Sequence, residues 1–257
     1  MNEEEIKKIY EDGTYIKKNP SLHIEDSKWK SQVLIPFIDI FLKEDNKNNI
    51  KILDIGGGAG LILKSLSDYI IKEHNKKTKL FALDLSSYML DIQKKNNPDL
   101  IKTFNMDVRD INLNHKMDLV LMIDVLEHVS HPMVVLNKLR IISNYVIFKV
   151  PLESNFTLGL LNFLTLGYIR RKVIADVGHI NVYNLKKLRK EIESNCGEII
   201  HFSFANVYSY YLTKQNISSA KRVYNTCGKT LYNFSPKLSS LIFNDFVIIL
   251  VRCKNDK

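Results

Sequence analysis

Lys51–Gly60 reads KILDIGGGAG. Ile52, Leu53 and Ile55 signal a short apolar strand that carries Asp54 and runs directly into a glycine turn. Past the turn, Leu61, Ile62, Leu66, Tyr69 and Ile70 recur at helical spacing. A strand, glycine turn and helix in that order offer bare backbone N–H groups to a ligand, because glycine has no Cβ to block close approach.

Outward from this stretch the pattern alternates. A strand at Leu80–Leu85 carries Asp84, and Ser86-Ser87 can cap a helix through Lys95. Leu100–Met106 is the next strand, ending at Asp107, and Asp118–Ile123 follows, closing with Asp124. Pro132 suits the first turn of a helix to about Ile142, and Tyr145–Val150 is a fifth strand. Two late strands, Ile199–Val207 and Phe246–Val251, flank a region (208–244) with little signal. This predicts an α/β fold, a doubly wound and mostly parallel sheet of seven strands. In such sheets ligands lie outside the C-terminal strand ends, where Asp84, Asp107, Asp124 and the Gly56–Gly60 turn all fall.

The reading is of one domain over 1–257: a helical cap at 1–49, a cofactor-binding core at 50–150, a lid at 151–178, and a C-terminal half at 179–257 with the closing strands. In the cap, Ile6, Ile9 and Tyr10 form a small stripe, and Val33, Leu34, Phe37, Ile38, Phe41 and Leu42 a stronger one. Residues 151–178 include FTLGLLNFLTLGYIRRK, apolar and then basic, which suits either a buried or lid helix pair or a flap against an apolar substrate or membrane surface. Asn184 can cap a helix, LKKLRKEIESN, that stops at Gly197.

Composition narrows the class. A hydrophobic share of 45% and a charged share of 25% are ordinary for a globular chain. The N-terminus, MNEEEIKKIY, is unlike a secretory signal, and no apolar run is long enough to span a membrane. Cys196, Cys227 and Cys253 lack C-x-x-C spacing, which fits a reducing, cytoplasmic setting and argues against a disulfide framework or a zinc site; no metal is expected. The net charge of +9 comes from lysines spread along the chain without interleaved aromatics, which argues against a nucleic-acid partner.

A dinucleotide turn would read G-x-G-x-x-G. Here Gly56, Gly58 and Gly60 give G-x-G-x-G after an acidic strand residue, which would repel a pyrophosphate and suit an ammonium group. No Gly-Lys-Ser/Thr follows, so a P-loop is excluded.

With LDIGGGAG, FALDLSSYM, NMDVRD and DLVLMIDVLEHVSHP in order, the chain resembles the class I S-adenosylmethionine-dependent methyltransferases over about residues 50–150, and with fewer motifs to its C-terminus. The resemblance implies S-adenosyl-L-methionine as cofactor. It implies that Asp54, Gly56, Gly57, Gly58 and Gly60 hold the methionine end and its amino group. It places Asp84 on the ribose hydroxyls with Leu85 beside it, Asp107 on the adenine amino group with Met106 and Val108 nearby, and Asp124, at the end of the fourth strand, among the cofactor-binding residues. The usual Pro-Gly-Gly turn before the fifth strand is replaced by Ile142-Ser143-Asn144, which leaves the turn type open.

A hydroxyl acceptor needs a base, whereas a free amine does not always. The candidates are His128, His131 and His179, with Glu127 and Glu153 as orienting or proton-accepting carboxylates; His131, just before Pro132, reads as a helix-entry residue. His128 and Glu127 can equally brace the loop over the cofactor, and His179, in a phrase resembling G-H-x-x-x-[FY], can equally be a core histidine. Less directly, YIKKNPSLHIEDSKWK resembles a cap segment whose Tyr15, His23, Trp29 and Lys30 would close over cofactor or acceptor.

The expected function is methyl transfer to a small-molecule or sugar-type acceptor at oxygen. No N-P-P-[YF] phrase follows the fourth strand, which argues against amino-base DNA methylation. The alternatives are an isoprenoid or lipid-linked acceptor reached by peripheral membrane contact, a non-catalytic cofactor-binding module and, weakest, an NAD-dependent dehydrogenase.

Overall fold

In the computed structural model, which describes residues 24–254, the apolar runs become β-strands separated by helices. In chain order these are α1 (Ile24–Glu44), β1 (Asn49–Ile55), α2 (Leu61–His74), β2 (Lys77–Asp84), α3 (Ser87–Asn96), β3 (Leu100–Asn105) and β4 (Met117–Ile123). A 3-10 turn at Leu126–His128 leads to α4 (Pro132–Ile142), β5 (Ser143–Leu152), α5 (Phe156–Leu164), α6 (Tyr168–Val177) and α7 (Leu185–Asn195). The chain closes with β6 (Gly197–Phe204), α8 (Val207–Leu212), α9 (Ser219–Phe234), α10 (Pro236–Ile242) and β7 (Asp245–Cys253).

The seven strands form one sheet of order β3-β2-β1-β4-β5-β7-β6. β1 to β5 pair in parallel, and β7 enters antiparallel between β5 and β6. β4 (MDLVLMI) is buried at every position, as a central parallel strand covered on both faces must be. Side chains alternate across the sheet. Ile50 and Ile52 join Leu34, Phe37 and Ile38 of α1 and Leu63 and Leu66 of α2 on one face. Leu53 and Ile55 join Leu136 and Leu139 of α4 and Leu188 and Ile192 of α7 on the other. Strand order reverses between β1 and β4, and a sheet of this kind opens a crevice at such a switch point.

Local chemistry sets the boundaries. Ser86 Oγ caps α3 by accepting from Met89 N at 3.4 Å, Asn184 Oδ1 caps α7 by accepting from Lys187 N at 2.8 Å, and Pro132 opens α4. No separate turn joins α4 to β5: Ser143 ends the helix, its Oγ donating to Leu139 O at 2.6 Å, and begins the strand. β5 also runs through Pro151 to Leu152, past the expected end, because Pro151 and Leu152 pair with Phe246 and Asp245 of β7.

Two regions differ from expectation. Residues 208–244 hold most of α8 and all of α9 and α10; in α9 (SAKRVYNTCGKTLYNF) Val223, Tyr224, Cys227, Leu231 and Phe234 recur at helical spacing, yet the helix buries only Asn225 and Gly228. α5 and α6 are not a buried pair, since neither has a buried residue. The stripe at Ile6, Ile9 and Tyr10, and the cap residues Tyr15 and His23, lie outside the described residues. Among the described residues, no helix is long and apolar enough to cross a membrane.

Candidate active site

Asp54 is the penultimate residue of β1, 1% exposed, and its Oδ2 has no hydrogen-bond partner. Burial, with the charge of Asp84 beside it, pushes its carboxyl up to about 7. The glycine turn folds against this carboxylate. Gly56, Gly58 and Gly60 all have positive φ, and a Cβ on Gly57 would collide with Asp54 Oδ2. Gly57→Ala is therefore expected to displace the carboxylate and weaken cofactor binding by about 1–2 kcal/mol, roughly tenfold. Calorimetry showing unchanged affinity would mean that the turn absorbs the methyl group.

The crevice beyond the turn has two lobes that share Gly56, Gly58, Met89, Asp124 and His128. The first is lined by Asp84, Leu85, Met106, Asp107 and Val108, all at the ends of β2 and β3, together with Val125 and His131. Asp84 Oδ1 accepts from Ser86 N at 2.9 Å; burial raises its carboxyl to about 6 against the pull of the backbone N–H groups of Ser86 and Leu85. Asn105 Nδ2 donates to Asp84 O and Leu85 O, bracing this edge. Asp107 is held by Arg109, whose Nη2 lies 2.7 Å from Oδ2. His131 occupies the N-cap of α4, as a helix-entry residue would.

The second lobe contains Asp54, Gly57, Glu127 and His179, with Lys30, Asp26, Tyr211 and Phe246 around them. The 3-10 turn after β4 aims Glu127 and His128 inward. Glu127 is 1% exposed and neither of its carboxyl oxygens has a partner; burial and nearby Asp124 hold its pKa well above the usual range. His128 Nδ1 donates to Gly178 O at 3.2 Å, and burial, with repulsion from His179, lowers its pKa to about 4. Gly178 ends α6 in a left-handed conformation, which turns the chain so that His179 meets His128 edge to face, ring centroids 4.8 Å apart. His179 Nδ1 donates to Glu153 Oε1 at 2.6 Å, and Arg170 holds Glu153 Oε2 at 3.2 Å. Asn181 pins this returning segment, its Nδ2 donating to Leu126 O and Val129 O and its N to Glu127 O.

A buried ion network closes the floor. Asp124, with φ +56, meets Lys149 Nζ at 2.6 Å and Lys30 Nζ at 3.0 Å. Burial alone would raise its carboxyl, but Lys149 and Lys30 outweigh that and hold it well below the usual range. Lys149 is fully buried, its Nζ 3.4 Å from the centroid of the Phe246 ring, and Trp29 stacks on Tyr210 nearby. Lys30 also bridges to Asp26 at 3.1 Å.

The crevice thus gathers most residues singled out in the sequence. Gly60 faces Asn97 at the start of α2, and Glu153 stands behind His179, so these two support the lobes from outside. Sequence reading missed Asp26, Asn105, Lys149, Asn181 and Tyr211; Lys149 sits in an apolar strand, FKVP, where a lone lysine was the one available signal.

The chain matches a family model described as "Methyltransferase domain" over residues 28–195. No curated protein matches it. The solved magnesium protoporphyrin IX methyltransferase of Synechocystis PCC 6803, with bound SAH, is similar at a TM-score of 0.59 and 14% identity, over 96% of this chain and 99% of that one. The N-methyltransferase NodS of Bradyrhizobium japonicum WM9, in complex with S-adenosyl-L-homocysteine, is similar at a TM-score of 0.52 and 10% identity, over 88% of each chain. The [4+2]-cyclase SpnF is similar at a TM-score of 0.53 and 9% identity, over 86% of this chain and 82% of that one. At these identities the likeness is one of fold.

Proposed function

Because the chain belongs to the class I S-adenosylmethionine-dependent methyltransferase family, we propose that it moves the cofactor's methyl group to a hydroxyl oxygen of a small-molecule or sugar-type acceptor seated in the second lobe. When bound, the cofactor supplies an electrophilic methyl carbon on a sulfonium. Asp54 takes its ammonium group on the unpartnered Oδ2 while the Gly56–Gly60 turn wraps the methionine part. Asp84 accepts from the ribose hydroxyls. Leu85, Met106 and Val108 flank the adenine. Asp107, just past β3 and oriented by Arg109, takes the adenine amino group. Asp124, which lines both lobes, borders the cofactor and with Lys30 and Lys149 shapes the floor.

The observation that supports a hydroxyl acceptor is the imidazole pair at the junction of the lobes. Both Nδ1 atoms are committed as donors, to Gly178 O and to Glu153, so each ring presents a lone pair at Nε2. A hydroxyl must lose its proton as its oxygen attacks, and the His128–His179 pair is where that proton is drawn off. His128→Ala is expected to lower turnover by roughly 10²–10⁴ while sparing cofactor affinity. An unchanged rate would reduce His128 to a brace for the loop. The acceptor class is tested with methyl-labelled cofactor and matched acceptors that differ only in hydroxyl against amine; labelling of the amines alone would overturn it.

A second reading rests on α5 and α6, where Phe163 and Leu166 are 78% and 86% exposed beside Arg171 and Lys172. This surface suits an isoprenoid or lipid-linked acceptor at a membrane face. Failure to co-sediment with anionic liposomes would count against it.

A further inference from the structure

We infer that Glu127, His128 and His179 form a binding site for a divalent cation of the manganese-to-zinc series. One ring nitrogen of each histidine and one carboxylate oxygen of Glu127 lie within 4.8 Å of one another, and no other such group of His, Cys, Asp and Glu occurs among the described residues. The surroundings are those of a ligand set. A metal-binding imidazole is fixed by giving its other N–H to a carbonyl or carboxylate. Both rings do this: His128 to Gly178 O at 3.2 Å, and His179 to Glu153 at 2.6 Å. Glu153 is itself held by Arg170, so the orientation extends one layer further out.

Glu127 supplies the independent observation. Its side chain is 1% exposed, lines the second lobe, and has neither oxygen hydrogen-bonded. A buried acceptor beside two imidazole lone pairs is a set of donors to a cation, with no hydrogen-bond donor to satisfy it. Lys30 and Lys149 do not fill that place, because both are drawn onto Asp124. Closing the three ligands to metal distances of about 2.0–2.2 Å takes a shift on the order of an ångström, within reach of the Glu127 side-chain torsions. Two imidazoles and one carboxylate favour manganese to zinc over magnesium or calcium, and three protein ligands leave coordination positions open toward the lobe.

The consequence for the reaction rests on the hydroxyl-acceptor reading. The ion takes the acceptor oxygen and lowers the pKa of its hydroxyl. The O–H bond breaks and its proton passes to water. The oxygen then forms a bond to the methyl carbon as the carbon–sulfur bond breaks, its electron pair staying on sulfur. The metal keeps its oxidation state throughout. With the ion bound, the Nε2 lone pairs of His128 and His179 hold it and no longer take the proton themselves, so the ion replaces the imidazole pair as the group that activates the hydroxyl.

The test uses untagged full-length protein stripped with chelator and titrated with Co(II) alone. The expected result is one equivalent bound, with visible d–d absorption and a raised melting temperature. Glu153→Gln is expected to weaken Co(II) binding 10–100-fold, and His179→Ala to abolish it, with folding of each checked by its cofactor-induced melting shift. No Co(II) or Zn(II) uptake by the stripped protein, or uptake unchanged in both variants, overturns the site. If stripped protein methylates a hydroxyl acceptor at full rate, the metal proposal fails and the hydroxyl reading stands. If Co(II) binds as expected and only amines are methylated, the site stands and the hydroxyl reading fails.

Discussion

Asp54→Asn is expected to melt higher than the parent protein at pH 8 without cofactor, and yet to bind cofactor ten- to a hundredfold more weakly. The two effects share one cause. Folding buries a carboxyl that has no partner on Oδ2 and lies beside Asp84, so its pKa rises to about 7. The unfolded chain releases that proton near pH 4 while the folded chain keeps it, so the carboxyl costs stability progressively from pH 4 to 7 and fully above. A neutral amide removes the cost: at pH 8 the gain is about 2–4 kcal/mol, and near pH 4 it vanishes. The cofactor's ammonium group would reverse the sign by pairing with the ionised form. Loss of that charge-assisted hydrogen bond accounts for about 1.5–3 kcal/mol of affinity. Wild-type affinity is accordingly expected to rise between pH 6 and 8, and the variant's to stay flat. Thermal melts across pH and calorimetry check both arms. Equal cofactor affinity in the variant would remove Asp54 from the cofactor site.

Lys149→Ala is expected to destabilise the fold by several kcal/mol, at most about 5, because removing one of its two cations leaves the buried Asp124 charge only partly compensated. Asp124 would keep Lys30 at 3.0 Å and lose the closer contact at 2.6 Å, while the Phe246 ring would lose its cation. The pH dependence tests the cause. Asp124 has a lowered pKa in the folded protein, so its contribution is present above the unfolded carboxylate pKa and fades as pH falls. The penalty of Lys149→Ala is therefore largest at neutral pH and shrinks as Asp124 takes up a proton. Urea denaturation at pH 7 and pH 2 measures it, since the contribution is lost only as pH falls from the unfolded toward the folded pKa, and a loss under 1 kcal/mol at pH 7 would show that the network carries little stability. Lys149→Met, which keeps an apolar stem against Phe246, separates charge from packing.

How much was legible in advance follows from the range of the interactions. KILDIGGGAG was readable as strand and turn because a strand's alternation and a turn's need for glycine are properties of neighbours in sequence. The same holds for Ser86, Asn184 and Pro132 as helix starts. The helix at 219–234 carries a local signal, Val223, Tyr224, Cys227 and Leu231 at helical spacing, but that it buries only Asn225 and Gly228 was not legible, because burial depends on what packs against it. α5 and α6 carry apolar sequence on an exposed face, which periodicity cannot tell from burial.

The sequence by itself determined the order of the strands along the chain, the acidic strand ends, the glycine turn and, through their sum, the methyl donor. Only the tertiary structure decided what the cleft's charged groups do. Lys149 and Asp124 stand 25 residues apart, and His128 and Gly178 stand 50 apart. Whether each is paired, orphaned or discharged depends on desolvation, which arises only when such distant segments close together and exclude water.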